Sequence, residues 1–143
     1  YRGQPLNWEK SLYNSSIHAE KTFDDLIKNT NAKYMDKLLG ELGNNVVLPI
    51  RPKDYKETYA LYMCLVKKRD RLIKFLNMNG IEAKIHYPIP IYRQPAMKFL
   101  KHKLGDFPIT DFHAKNIISF PCDQHLSKEE MDYIVKIVRE YYN

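Results

Sequence analysis

The residues best suited to chemistry lie in one stretch, 86–96, which reads His-Tyr-Pro-Ile-Pro-Ile-Tyr-Arg-Gln-Pro-Ala. His86, Tyr87 and Tyr92 offer ring nitrogens and hydroxyls that donate or accept hydrogen bonds, and their rings can stack on a flat ligand. An alternating pattern typical of a strand precedes them, so His86 falls at its end. Two interpretations of His86 stay open from this pattern alone, a structural hydrogen bond or a ligand contact.

Three prolines, at 88, 90 and 95, set the backbone of this stretch. Each proline fixes φ, removes a backbone donor and favours extended geometry in the residue before it. We therefore expect Tyr87, Ile89 and Gln94 to be extended. A stiff arm with polar and aromatic side chains loses little entropy on binding, which suits a ligand-contacting segment.

Elsewhere the sequence contains no self-contained catalytic site. The five glycines are scattered singly, so no phosphate-binding loop is present, and no serine sits in a nucleophile elbow. Adjacent carboxylates such as Glu129 and Glu130 point about 100° apart on a helix and make poor acid–base pairs. Cys122 and His125 form half a metal site without a partner pair. We predict no catalytic residue and no metal site.

Length and composition indicate one globular domain. The chain has 143 residues, 44% of them hydrophobic, and a formal net charge of +6. Basic residues cluster at 67–71 and 98–103, which fits either an anionic partner or a solvated lysine-rich surface. Two cysteines make no disulfide framework, and the sequence shows neither an apolar stretch long enough to span a membrane nor a signal-peptide pattern. We therefore predict a cytoplasmic protein.

The elements that must position the arm follow from periodicity and stop signals. We expect an irregular segment over 1–15. Residues 16–42 are predicted to form either one helix or two. Four strands are predicted, over 46–50, 58–66, 81–87 and 116–120, with 58–66 central and covered on both faces. Two further helices are predicted over 70–78 and after the capping box at Ser127–Glu130. This order predicts an α+β fold with a small, mostly antiparallel sheet and helices packed on it.

The motifs along the chain resemble one enzyme family, the PLP-dependent nucleotide-sugar aminotransferases of the DegT/DnrJ/StrS group. The central match is His86-Tyr87-Pro88-x-Pro90 with Gln94-Pro95-Ala96, similar to the family pattern HYPxPxHxQPAY. The flanking matches, in the family's order, are Asn31-Ala32-x-Tyr34, Arg69-Asp70-x-Leu72, Asn79-Gly80-Ile81, Ile118-Ser119-Phe120-Pro121 and Leu126-Ser127-x-Glu129-Glu130. Where the family often carries a second histidine, this chain has Tyr92.

The resemblance implies a fold like the C-terminal small domain of fold-type I aminotransferases, over residues 16–143. It implies a longer enzyme, normally a homodimer, that transfers an amino group from glutamate to a keto nucleotide sugar. PLP would belong to that full-length protein and is not expected to bind this chain. The family's Schiff-base lysine and its glycine-rich stretch lie in a large domain that this chain lacks, and the chain starts at Tyr1 without a methionine. We therefore expect a fragment without activity of its own.

By resemblance, His86 and Tyr87 would face the cofactor–substrate adduct, and Tyr92 would approach the sugar or nucleotide. Other interpretations remain open. One is a basic α+β module that binds nucleic acid or a protein partner, supported by the net charge and the tyrosines. Another lies within the family, where relatives use the same fold for sugar dehydration or for regulation.

Overall fold

The structure, a computed structural model, describes residues 25–54 and 57–143. A first helix, α1, runs over 25–40 in the described part of the chain. The remaining elements are β1 (Val46–Val47), β2 (Tyr62–Val66), α2 (Arg69–Met78), α3 (Pro108–Asn116), β3 (Ile117–Phe120) and α4 (Lys128–Tyr142). A 3-10 helix, Gly43–Asn45, precedes β1, and two more, Ile91–Arg93 and Pro95–Leu100, lie between α2 and α3. The irregular segment predicted over 1–15 and the predicted start of the first helix lie outside the described residues.

The three strands form an antiparallel sheet in the order β1-β2-β3. Because side chains alternate along a strand, Tyr62, Cys64 and Val66 of β2 point to one face and are buried. The two residues between them, Met63 and Leu65, point to the other face and are half-buried. The sheet therefore has a core face and a more open face.

Helices α1, α2 and α4 supply the apolar side chains that cover the core face. Leu39, Leu72, Leu76 and Val138 have no exposed surface and belong to one cluster with the inward-facing strand residues. Burying such side chains is the main favourable term in folding. The α+β architecture with a small antiparallel sheet, predicted from the sequence, is confirmed.

The capping box predicted before the last helix is present. Glu130 N donates to Ser127 Oγ at 3.2 Å, and Ser127 N donates to Glu130 Oε2 at 2.8 Å. These two bonds satisfy donors that would otherwise be unpaired at a helix N-terminus. The predicted apolar stripe of α4, which begins at Met131, faces the core.

The central strand is shorter and less enclosed than predicted. It was expected over 58–66 with both faces covered, but β2 begins at Tyr62 because Tyr59 has φ of 48°, which interrupts extended geometry. The strand predicted over 46–50 likewise ends at Val47, two residues before Pro49. Backbone pairing in the sheet is therefore limited to short strands.

The prediction of a strand over 81–87 is also wrong. In the described residues this segment makes a single bridge to the sheet, between Lys84 and Ser119. The backbone donors before Lys84 are used locally: Ile81 N bonds Leu76 O and Ala83 N bonds Ile81 O. The predicted alternation still holds for Ile81 and Ala83, which are buried. The segment therefore runs along β3 without forming a full strand.

Candidate functional site

The His86 imidazole is held at the edge of the sheet by a buried serine. His86 Nδ1 lies 2.8 Å from Ser119 Oγ, and Ser119 is 5% exposed. The ring of Tyr87 meets the His86 ring edge-on at 5.5 Å between centroids, and Tyr87 is 70% exposed. These two predicted site residues are thus adjacent, one anchored and one free at the surface.

Ser119 and His86 belong to the open face of the sheet. Ile118 and Phe120 of β3 point into the core, so Ser119 between them points the opposite way. Its partner across the ladder is Met63, which also faces the open side. The His86 ring therefore stands over the same face as Met63.

A concave groove of about 630 Å³ borders the open face. Its size falls in the range of small-molecule sites. Apolar side chains form most of its lining, namely Val47, Leu48, Leu61, Met63, Leu65 and Ile117. Since Met63 lines the groove and pairs with Ser119, the groove and His86 are neighbours on one face.

A network of charged and phenolic groups forms one rim of the groove. Arg51 Nε donates to Asp36 Oδ2 at 2.7 Å, and its other nitrogens pair with Asp36 Oδ1 and Glu57. The guanidinium carbon lies 4.9 Å from the Tyr59 ring centroid and 5.8 Å from that of Tyr62. Burial is the largest single influence and opposes the charge, but the hydrogen bond and charge of Asp36 together with Tyr59 and Glu57 outweigh it, so the pKa of Arg51 is raised.

This network was missed at the sequence level. Its members come from α1, the loop after β1 and the start of β2, and no short motif links positions so far apart. No sequence signal points to it, because Arg51 and Glu57 stand in a stretch rich in charged residues that singles out neither of them. Arg51 has both carboxylates as partners, so the network braces the groove rim.

Tyr92, the third predicted site residue, packs in a separate cluster. Its hydroxyl donates to Asp111 of α3, and its ring lies 4.9 Å from the Phe107 centroid and 6.2 Å from that of His102. Gly105 N donates to the other Asp111 oxygen at 3.0 Å. Partial burial and the bond to Asp111 raise the pKa of Tyr92. The geometry thus ties Tyr92 to α3.

The segment from 87 to 112 exposes an unusual amount of apolar surface. It holds nine of the fifteen large apolar side chains that are exposed in the described residues. The two 3-10 helices of this segment and α3 contain no buried residue. We call this set the apolar arm surface: Tyr87, Ile89, Ile91, Phe99, Leu100, Leu104, Phe107, Ile109 and Phe112. Such a concentration marks an interaction surface.

The basic clusters differ in their positions. Lys67, Lys68 and Arg71 are exposed, but Arg69 is 8% exposed and is not available to an anionic partner. Its Nη1 donates to the carbonyl oxygens of Ala114 and Ile117 at 3.2 and 3.1 Å. Arg69 therefore fixes the junction of α3 and β3, which corrects its assignment to the surface cluster.

The described part of the chain offers little to hold a metal or an imine-forming cofactor. Across 25–54 and 57–143, no three His, Cys, Asp or Glu side chains group as a metal site. The described residues that line the groove include no lysine. No helix within these ranges combines the length and apolar character needed to cross a membrane.

Comparison with known proteins extends over most of the chain. Residues 21–139 match the model of the DegT/DnrJ/EryC1/StrS aminotransferase family. A pleiotropic regulatory protein of Geobacillus stearothermophilus is 32% identical over 111 residues, which is 78% of this chain and 30% of that protein. A dTDP-3-amino-3,4,6-trideoxy-alpha-D-glucose transaminase of Streptomyces venezuelae is 28% identical over 110 residues, covering 77% and 28% respectively. The chain spans less than a third of either relative.

Solved structures share the fold at low identity. DesV of Streptomyces venezuelae superposes with a TM-score of 0.79 at 24% identity, over 84% of this chain and 32% of that one. A family aminotransferase from Brucella abortus superposes with a TM-score of 0.75, also at 24% identity, over 84% and 31%. The fold predicted by resemblance is therefore confirmed.

Proposed function

Because the chain belongs to the DegT/DnrJ/EryC1/StrS aminotransferase family, we propose that it is the small-domain part of a nucleotide-sugar aminotransferase. In this proposal residues 16–143 form the small domain and work with a PLP-bearing part in the cytoplasm. The whole enzyme is a homodimer that transfers the amino group of glutamate to a keto nucleotide sugar. The observation that carries the proposal is the family match over residues 21–139 in a chain that spans under a third of its relatives.

The residues present do not fit PLP by themselves. PLP supplies the electron sink for amino transfer when an enzyme holds it, and fold-type I enzymes hold it through a lysine. The groove lining, as far as the structure describes it, is mostly apolar. Its polar side chains are Arg51, Glu57, Thr58, Tyr59 and His113, and it includes no lysine. No step of the transfer is therefore assigned to this chain, and we expect the chain alone to have no transaminase activity.

The chain contributes a wall of the substrate site in this proposal. His86 and Tyr87 stand at the edge of the open face, with one ring anchored to Ser119 and the other exposed. Tyr92 holds the arm to α3, and because its hydroxyl hydrogen is given to Asp111, it meets the sugar or nucleotide through its ring or as a hydrogen-bond acceptor. The apolar arm surface provides contact area for the rest of the enzyme.

A chimera tests the proposal. Residues 21–143 replace the aligned segment of the Streptomyces venezuelae transaminase, and PLP absorbance confirms that the product is a loaded protein. We expect glutamate-dependent amination of a keto nucleotide sugar by the chimera and none by the 143-residue chain. His86→Ala should lower turnover at least tenfold, while His125→Ala, at an exposed turn, should not.

Four results would contradict the proposal. Turnover by the 143-residue chain would show that it is a complete enzyme. A product that lacks the amino group would favour a sugar dehydratase, and a loaded but inactive chimera would favour a regulatory role like that named for the Geobacillus relative. Oligonucleotide binding that weakens steeply with salt would favour the nucleic-acid module.

A further inference from the structure

Ser119 is held in place by both its backbone and its side chain. Its backbone bonds to Lys84 in both directions, at 2.8 and 3.0 Å, and it pairs with Met63 across the β2–β3 ladder. Its side chain is almost fully covered, and Oγ lies 2.8 Å from His86 Nδ1. The position of Oγ is therefore fixed by the sheet.

The hydroxyl hydrogen of Ser119 needs an acceptor because a buried donor without one is costly. Among residues 25–54 and 57–143, the Ser119 hydroxyl makes one hydrogen bond, with His86 Nδ1. A neutral imidazole has one acceptor nitrogen and one N–H. If Nδ1 accepts from Ser119, the ring proton must sit on Nε2.

We propose that Ser119 is a positioning residue that fixes the Nε2–H tautomer of His86. The inference rests on the proposed function, in which His86 contacts the substrate. The ring then presents an N–H donor, so the substrate group that faces it is an oxygen acceptor, on the sugar or on the diphosphate. A proton-abstracting role for neutral His86 is excluded by the same arrangement, because Nε2 already carries its proton.

The tautomer can be measured in the full 143-residue chain without any turnover. Long-range ¹H–¹⁵N correlation spectra report which ring nitrogen carries the proton, and the His86→Gln variant assigns the signal among the five histidines. At a pH where the ring is neutral, we expect the Nε2–H form. Ser119→Ala should raise the ratio of Nδ1–H to Nε2–H roughly fivefold, the effect of losing one hydrogen bond.

Two further variants separate positioning from a general structural effect. Ser119→Thr keeps the hydroxyl and should restore the Nε2–H form. Ser127→Ala removes a hydroxyl from the α4 capping box, so it should lower stability and leave the His86 tautomer unchanged. An Nδ1–H ring in the unmodified chain, or no change on Ser119→Ala, would overturn the proposal, whereas an inactive chimera with the predicted tautomer would overturn only the proposed function.

The chimera identifies the source of the oxygen. Ser119→Ala should raise KM for the nucleotide sugar about fivefold. If the acceptor is a phosphate oxygen, inhibition by the nucleoside diphosphate alone weakens by the same factor. If the acceptor is on the sugar, that inhibition is unchanged.

Discussion

The phenol hydroxyl of Tyr62, at the start of β2, donates a hydrogen bond of 2.7 Å to Asp36 Oδ1 in α1. The same carboxylate accepts from Arg51, so one acidic side chain joins a helix, a loop and the central strand. Tyr62 is 1% exposed, and burial followed by the neighbouring Cys64 and Asp36 raises its pKa. This contact fixes the rim of the groove to the core.

Tyr62→Phe removes that hydroxyl and should lower the free energy of unfolding by about 1 kcal/mol, since Asp36 keeps its bonds to Arg51. Tyr133→Phe is the matched control, because the Tyr133 hydroxyl donates to Asn79 O at 3.1 Å from a 44% exposed side chain. We expect the control to cost less than about 0.5 kcal/mol. Urea denaturation measures both, and equal costs would contradict a special role for the Tyr62 contact.

Arg69→Met should cost about 2–3 kcal/mol, because it removes the hydrogen bonds that a buried, charged side chain donates to the carbonyls of Ala114 and Ile117. Arg71→Met, two residues away and exposed, should change stability by less than about 0.5 kcal/mol. Arg69→Lys should recover only part of the loss, since an ammonium keeps a charged donor but cannot bond both carbonyls from the Nη1 position while Nε pairs with Asp70. Urea unfolding of the three variants checks this, and a neutral Arg69→Met would disprove it.

Tyr92→Phe should loosen the arm without changing global stability. The variant removes the bond to Asp111, while the ring contact with Phe107 remains. We expect faster amide exchange at 91–107 and a free energy of unfolding within about 0.5 kcal/mol of the unmodified chain. Tyr87→Phe, whose side chain is exposed, should leave exchange unchanged, and identical exchange in both variants would contradict the anchoring role.

Stability should fall with rising pH above about 9 because of buried thiols. Burial raises the pKa of Cys64 from 9.0 to about 12 and that of Cys122 to about 11. Between pH 9 and 12 the unfolded chain loses the Cys64 proton while the folded chain keeps it, so the folded state binds more protons and stability decreases. The contribution is fully present below pH 9.

The slope from Cys64 should approach about 1.4 kcal/mol per pH unit in that window. Cys64→Ala should show a shallower decline, although its cavity lowers stability at every pH. Urea midpoints measured from pH 8.5 to 11 under reducing conditions compare the two proteins, since tyrosine ionisation affects both. Parallel curves would show that Cys64 ionises equally in both states.

Phe99→Glu tests whether the apolar arm surface is covered in the larger protein. Phe99 is 73% exposed, so the substitution should change the stability of the 143-residue chain by less than about 0.5 kcal/mol. In the chimera we expect a cost of about 1–3 kcal/mol, because the charge would be buried against the added part. Met78→Glu, at an 85% exposed position on α2, should be neutral in both proteins. Neutral Phe99→Glu in the chimera would show that this surface stays exposed.

The sequence by itself determined the α+β class, the capping box at Ser127 and the family. These follow from local patterns: helix periodicity, cap residues and motif spacing need only neighbouring positions. It also predicted that the His86–Ala96 arm is not an ordinary helix. The arm contains only 3-10 turns, at Ile91–Arg93 and from Pro95 onward, and Gln94 between them is extended as expected, with φ of −67° and ψ of 148°.

Only the tertiary structure decided how that arm is anchored and which face of the sheet stays open. Ser119 lies 33 residues from His86, and Asp36 lies 15 from Arg51 and 26 from Tyr62, so their contacts depend on how strands and helices meet. Arg69 and Arg71 are both basic and near in sequence, yet one is buried and one is exposed. The physical reason is that burial and hydrogen-bond partners depend on packing between distant segments, which local patterns do not encode.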